Sequence, residues 1–125
     1  MNEPTKAIQY IIDTAPKYAK AKSERTYIEN FLRTKKALLM KEAMLKGIDS
    51  GVAQEREAYA HPEYQELLKG YAAAIEEEET LKWMLTAAQM KSEIWRTEQY
   101  SARIEQKATQ WTTNWTQSKD YISGR

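Results

Sequence analysis

The chain has 125 residues, few enough to expect one domain, and its 19 Lys/Arg against 18 Asp/Glu leave a net charge of +1 that points to no particular partner. The absence of cysteine excludes a disulfide framework, a thiolate metal site and a Cys nucleophile, and is compatible with a reducing cytoplasm. No apolar run approaches the roughly 18 residues a membrane helix needs, and the N-terminus has no signal-peptide pattern, so neither a membrane span nor export is expected.

Val52 is the only valine and Phe31 the only phenylalanine, whereas Ala, Glu, Lys, Gln, Leu and Met abound. That palette forms helices and offers almost no strand material, so the expected fold is all-α. Residues 1–14 hold a short helix marked by Ile8, Ile11 and Ile12, which Pro16 should interrupt. Asp13 or Thr14 can cap a new helix with Pro16 in its first turn. That basic helix runs over 15–46, with Tyr27, Phe31, Leu38 and Leu45 in one stripe and Ile28, Leu32 and Leu39 in a second beside it. Gly47 is placed to end it, and Asp49-Ser50-Gly51 opens a loop over 47–61 in which 52–60 can form a further helical turn or two.

From Pro62 to about Gln117 the chain reads as one long amphipathic helix, followed by a fraying tail over 118–125. Its seam runs Tyr64, Leu67, Tyr71, Ala74, Glu78, Leu81, Leu85, Ala88, Ser92, Trp95, Gln99, Ala102, Gln106, and nine of these thirteen positions are apolar. A 3-4 repeat held for roughly six heptads is a coiled-coil signature. The expected architecture is a long antiparallel helical hairpin with coiled-coil packing and a short N-terminal helix. The first helix can cover the second only to about Trp95, so a homo-oligomer is expected, with Leu81, Leu85, Trp95, Trp111 and Trp115 at its interface. Glu78, Ser92 and Gln99 are polar seam positions of the kind that set register.

Charge is polarised along the chain. Nine Lys/Arg stand against three Glu between Ala15 and Gly47, and eight Glu against two cations between Glu55 and Glu79. Arg33, Lys35, Lys36 and Lys41 on the basic helix form a candidate phosphate-binding surface, unless they only pair with the acidic start of the long helix. A second candidate is the stripe Arg96, Tyr100, Arg103, Lys107, Trp111, Trp115, where cations interleave with flat aromatics as on a single-strand stacking platform. The same Trp111 and Trp115 can instead pack between subunits, which is the favoured reading. Glu76 to Glu79 point in four directions from a helix and cannot converge on a metal. His61 beside Pro62 is better explained as a helix cap than as a catalyst, and no Walker motif, GxGxxG, HExxH or CxxC occurs. No enzyme, catalytic residue, metal or cofactor is expected.

Two blocks carry a resemblance. One is Arg33-Thr34-Lys35-Lys36-Ala37-Leu38-Leu39-Met40-Lys41 with its Gly-bounded turn. The other is Tyr64-Gln65-Glu66-Leu67-Leu68, the Glu run, then Leu81-Lys82-Trp83-Met84-Leu85 and Glu93-Ile94-Trp95-Arg96. In order, length and charge layout, from about Lys17 to Gln99, they resemble the small helical recombination mediators of tailed phages, the UvsY type. The resemblance implies a ring-forming helical protein of the host cytoplasm that binds single-stranded DNA and helps load a recombinase past a single-strand-binding protein. It also implies DNA-contacting cations on the first helix, with Lys35, Lys36 and Lys41 the best match. The Trp111–Trp115 extension has no counterpart in that pattern. The competing class is a coiled-coil structural or assembly adaptor that uses the same seam without binding DNA.

Overall fold

The computed structural model describes the backbone of residues 3–123 and the side chains from Thr5 to Lys119. It is all-helical: α1 (Glu3–Leu45), α2 (Gly51–Ala60) and α3 (Pro62–Ser123), with no strand among the described residues. Most tertiary contact is between α1 and α3, and α2 leans mainly on α1. None of the described helices is long and apolar enough to cross a membrane. Ion pairs join Arg25 to Glu78 and Lys35 to Glu63, so positions further along α1 meet positions nearer the start of α3.

The sheltered line on α3 is Tyr64, Leu67, Tyr71, Ala74, Glu78, Leu81, Leu85, Ala88 and Ser92, joined at its side by Thr86. This is the line that the 3-4 periodicity picks out, as far as Ser92. On α1 the matching line is Ala7, Ile11, Thr14, Tyr18, Ala21, Arg25, Ile28, Leu32, Lys35 and Leu39, also in steps of four and three. Of the two apolar stripes expected on this helix, Ile28, Leu32 and Leu39 are sheltered. Tyr27, Leu38 and Leu45 face outward, with Phe31 half-buried and its ring stacked 5.9 Å from that of Tyr27.

Three boundaries differ from expectation. Pro16 lies inside α1, so residues 3–14 and the basic helix are continuous and no new cap forms at Asp13 or Thr14. Thr14 is buried, as are Ala7 and Ala21 on either side, and packing of those flanking turns offsets a missing N–H and ring clash that cost about 3 kcal/mol in an unsupported helix. Within the loop over 47–61 the helical turn or two expected at 52–60 is present as α2 but starts at Gly51, capped by Ser50, whose hydroxyl accepts from Ala53 N–H, and latched by Gln54, whose side-chain amide donates to the Ile48 carbonyl at 2.7 Å. α3 passes Gln117 and reaches Ser123, because no Gly or Pro interrupts the chain between Gly70 and Gly124. Met1 and Asn2 of the expected short helix, and Gly124 and Arg125 of the expected frayed tail, lie outside the described residues.

The turns themselves follow local chemistry. Gly47 takes φ +98°, Ile48 N–H donates to the Ala43 carbonyl and Gly47 N–H to that of Met44, a Schellman ending for α1. His61 stands between α2 and α3, and its Nδ1 accepts from Glu63 N–H at 3.1 Å, so this imidazole is a cap. Pro62 opens α3, where its absent N–H leaves no bond unmade.

What the helices enclose is thin. Among the described residues the buried apolar ones are Ala7, Ala21, Leu39, Ala43, Ala58 and Ala88, and no large side chain is fully buried. The accessible surface is 9826 Å², where a compact monomer of 14.6 kDa would expose about 6,900 Å².

A sheltered ion pair, Arg25 with Glu78, lies on both lines at once. Arg25 Nε donates to Glu78 Oε2 at 2.6 Å and Nη2 to Oε1 at 3.1 Å, while Nη1 reaches Glu29 at 2.7 Å. Bonded this way, the Glu78 carboxyl is held below the ordinary glutamate range and the Arg25 guanidinium still more firmly protonated. The pair therefore stabilises the fold fully above the ordinary glutamate pKa of about 4.3, and its contribution disappears as pH falls through the lowered value. Glu78→Gln should lower the melting temperature at pH 7 and flatten its decline between pH 5 and 3. Circular dichroism melts across that range check both effects.

Candidate nucleic-acid interface

The four cations singled out on α1 separate into two kinds. Lys35 Nζ lies 2.6 Å from Glu63 Oε2, and this bond holds the Glu63 carboxyl below its ordinary range. Lys36 Nζ sits over the Tyr59 ring at 4.8 Å and 3.3 Å from Glu55 Oε1, and Tyr59, then Glu55, hold its ammonium above the ordinary lysine range. Both lysines are half-buried. Lys35 fastens α1 to the start of α3 and Lys36 fastens it to the middle and end of α2, as complementary charge on neighbouring helices dictates. Arg33 and Lys41 are exposed, with no ion pair among the described residues. Eight residues apart, they lie a little over two turns from each other along one side of α1.

Beyond Ser92 every described side chain of α3 is exposed, because α1 has run out. Ile11, near the start of α1, lines a groove with Gln89, Ser92, Glu93 and Arg96, and this marks the end of the cover. The stripe Arg96, Tyr100, Arg103, Lys107, Trp111, Trp115 lies wholly on the uncovered part, and none of its cations has an ion pair among the described residues. Trp111 is 67% exposed and Trp115 54%, the latter with Lys119 Nζ at 5.2 Å from its ring centroid. Cations and rings at these steps are accessible together, as phosphate and base contacts on a single strand require.

The five residues expected at an oligomer interface also divide. Leu81 and Leu85 are half-buried on the line that faces α1. Trp95 continues that line past its cover and is 37% exposed. Trp111 and Trp115 lie on another side of α3. Sequence reasoning missed Trp83, Met90, Ile94 and Ile104, which are all half or more exposed. Their signal was a second 3-4 repeat interleaved with the first. Of the Glu76–Glu79 run, Glu78 is turned to Arg25 and the other three face solvent.

The division on α1 has a measurable consequence. The double variant Lys35→Ala/Lys36→Ala should lower the melting temperature, since Glu63 and Glu55 lose their partners. Arg33→Ala/Lys41→Ala should leave it unchanged, and thermal melts of the two side by side check this. Comparison with family models, characterised proteins and solved structures finds nothing that matches the chain.

Proposed function

We propose that the chain is a non-enzymatic single-stranded DNA-binding accessory of recombination or replication that acts as a homo-oligomer in the cytoplasm, in the manner of the small helical phage mediators it resembles. On this reading α1 and α3 form an antiparallel hairpin with coiled-coil packing, which the two 3-4 lines and the reversed order of the ion pairs support. A recombinase and a single-strand-binding protein are the further partners that the resemblance implies. The observation that carries the proposal is the uncovered half of α3, where Arg96 and Arg103 stand exposed and unpaired beside Tyr100. Arg33 and Lys41 add to the surface from α1. Lys35 and Lys36 contribute mainly by holding α2 and α3 in place.

One observation favours the second reading, a coiled-coil adaptor without DNA binding: two of the four cations expected to touch phosphate are already paired within the chain. Gel shift with short single-stranded DNA separates the two. A mediator should bind at low salt, and log K should fall with log salt at a slope of roughly −0.7 per phosphate neutralised. Arg96→Ala/Arg103→Ala should flatten that slope by about 1.4 while circular dichroism stays helical. An unchanged slope moves the site elsewhere, and no binding at low salt leaves the adaptor.

A further inference from the structure

On the side of α3 turned away from α1 runs a second 3-4 line, in steps of four and three from Trp83 to Trp115. Its large members are Trp83, Met90, Ile94, Ile104, Trp111 and Trp115, all at least half exposed. The remaining positions are small: Ala87, Thr97, Ser101 and Ala108. At 100° per residue this line is set about half a turn from Leu81, Leu85 and Ala88, so α1 leaves it open over its whole length of roughly 50 Å. We infer that this back line of α3 is the contact between two copies of the chain, packed antiparallel about a two-fold axis at Thr97 and Ser101.

Size, shape and charge each point to a second copy as the occupant. The surface left in excess of a compact monomer is about 2,900 Å² per chain, and a stable interface buries about 1,600 Å² in total. Antiparallel alignment puts Trp111 opposite Ala87 of the second copy, Met90 opposite Ala108, Ile94 opposite Ile104, and Thr97 opposite Ser101. Small faces large in two layers, apolar faces apolar in the next, and the two hydroxyl residues meet on the axis, with Trp83 against Trp115 closing each end. Every layer occurs twice by symmetry, as an isologous contact requires.

The flanking charges select the same arrangement. Lys91 of one copy comes beside Glu105 of the other, and Glu93 beside Lys107, which gives four ion pairs over the dimer. The single like-charge approach is Glu98 to its own counterpart at the axis. A parallel pairing would set Glu93 against Glu98 on both sides and stack Trp on Trp in three layers. Slipping the antiparallel register by one heptad puts Trp115 opposite Glu76 in one direction, and Glu98 beside Glu105 in the other. Lys107 then serves the subunit contact, and Arg96 and Arg103, displaced to one edge of it, stay open to solvent.

This inference rests on the homo-oligomer part of the proposed function and not on DNA binding, so its test contains no DNA. Sedimentation of the native chain at micromolar concentration should give an oligomer, and Ile94→Glu/Ile104→Glu should give a smaller species. A monomeric native chain overturns both the inference and the homo-oligomer reading. An oligomer of unchanged size in that variant keeps the reading and overturns this surface. Because the chain has no cysteine of its own, single-cysteine variants fix the alignment even if the double variant loses helix. Oxidised Glu98→Cys should form a disulfide-linked dimer, since that position flanks its own counterpart. Glu105→Cys should not do so alone, being about 18 Å along the axis from its counterpart, but should when mixed with Lys91→Cys. Linking of Glu98→Cys only when it is mixed with Glu93→Cys marks a parallel pair, which sets those two positions together, and overturns the inferred register. Failure of Glu98→Cys to link, alone or with Glu93→Cys, in an oligomeric sample overturns the surface.

Discussion

The Arg25–Glu78 fork holds α1 and α3 in one alignment that the apolar residues around it specify only weakly. Ala7, Ala21, Ala43 and Ala88 bury little side chain and would tolerate a shift of a heptad with small loss. A guanidinium bonded through two nitrogens to a sheltered carboxylate does not tolerate it, since a slip would leave both charges without partners in a half-dry seam. That alignment sets where α1 stops along α3. It therefore also sets which part of α3 is left uncovered and which of its sides faces outward.

Two helices side by side each shelter one line of side chains, and among the described residues nothing else shelters the rest. α2 is ten residues long and seats the small Ala58, only 1% exposed, against its surroundings. The remaining large apolar side chains have no interior to enter. An isolated soluble chain rarely leaves a continuous apolar line of this extent in water, and its natural complement is another helix with the same line. The cations obey the same geometry. Lys35 and Lys36 are drawn into pairs by Glu63 at the start of α3 and Glu55 in α2, and those on the uncovered half of α3 have no ion pair among the described residues.

Much of this was legible in the sequence, and unevenly so. On α3 the 3-4 repeat located every sheltered residue from Tyr64 to Ser92 apart from Thr86, because a helix running beside one neighbour buries a line whose period its composition reveals. On α1 the same period was hidden by composition. Thr14, Arg25 and Lys35 occupy sheltered positions, while Tyr27, Leu38 and Leu45 face water, so apolarity pointed partly to the wrong side. Pro16 misled for a related reason: its local preference is to end a helix, and packing on both sides of it overrode that preference. The turn at Gly47 and the cap at His61 were readable because both depend on residues within five positions. The pairing of Lys35 and Lys36 was foreseen only as an alternative, since it depends on partners 28 and 19 positions away that only the alignment of the helices brings close. The candidate cations on α3 were placed by spacing alone, and among the described residues nothing covers them.

The uncovered half of α3 is rich in threonine. Thr97, Thr109, Thr112, Thr113 and Thr116 each donate a hydroxyl hydrogen bond to the carbonyl four residues earlier, at 2.9 to 3.0 Å. Such bonds compete with the helical ladder they touch, and β-branched residues are among the weaker helix formers. A single helix of this make-up, with water on all sides, lies close to its own coil equilibrium. In a dilute isolated chain its amides would exchange with solvent far faster than those near Arg25 and Glu78. Whatever docks along this segment would add its binding free energy to the helix–coil balance. For this half of the chain, folding would then be linked to docking.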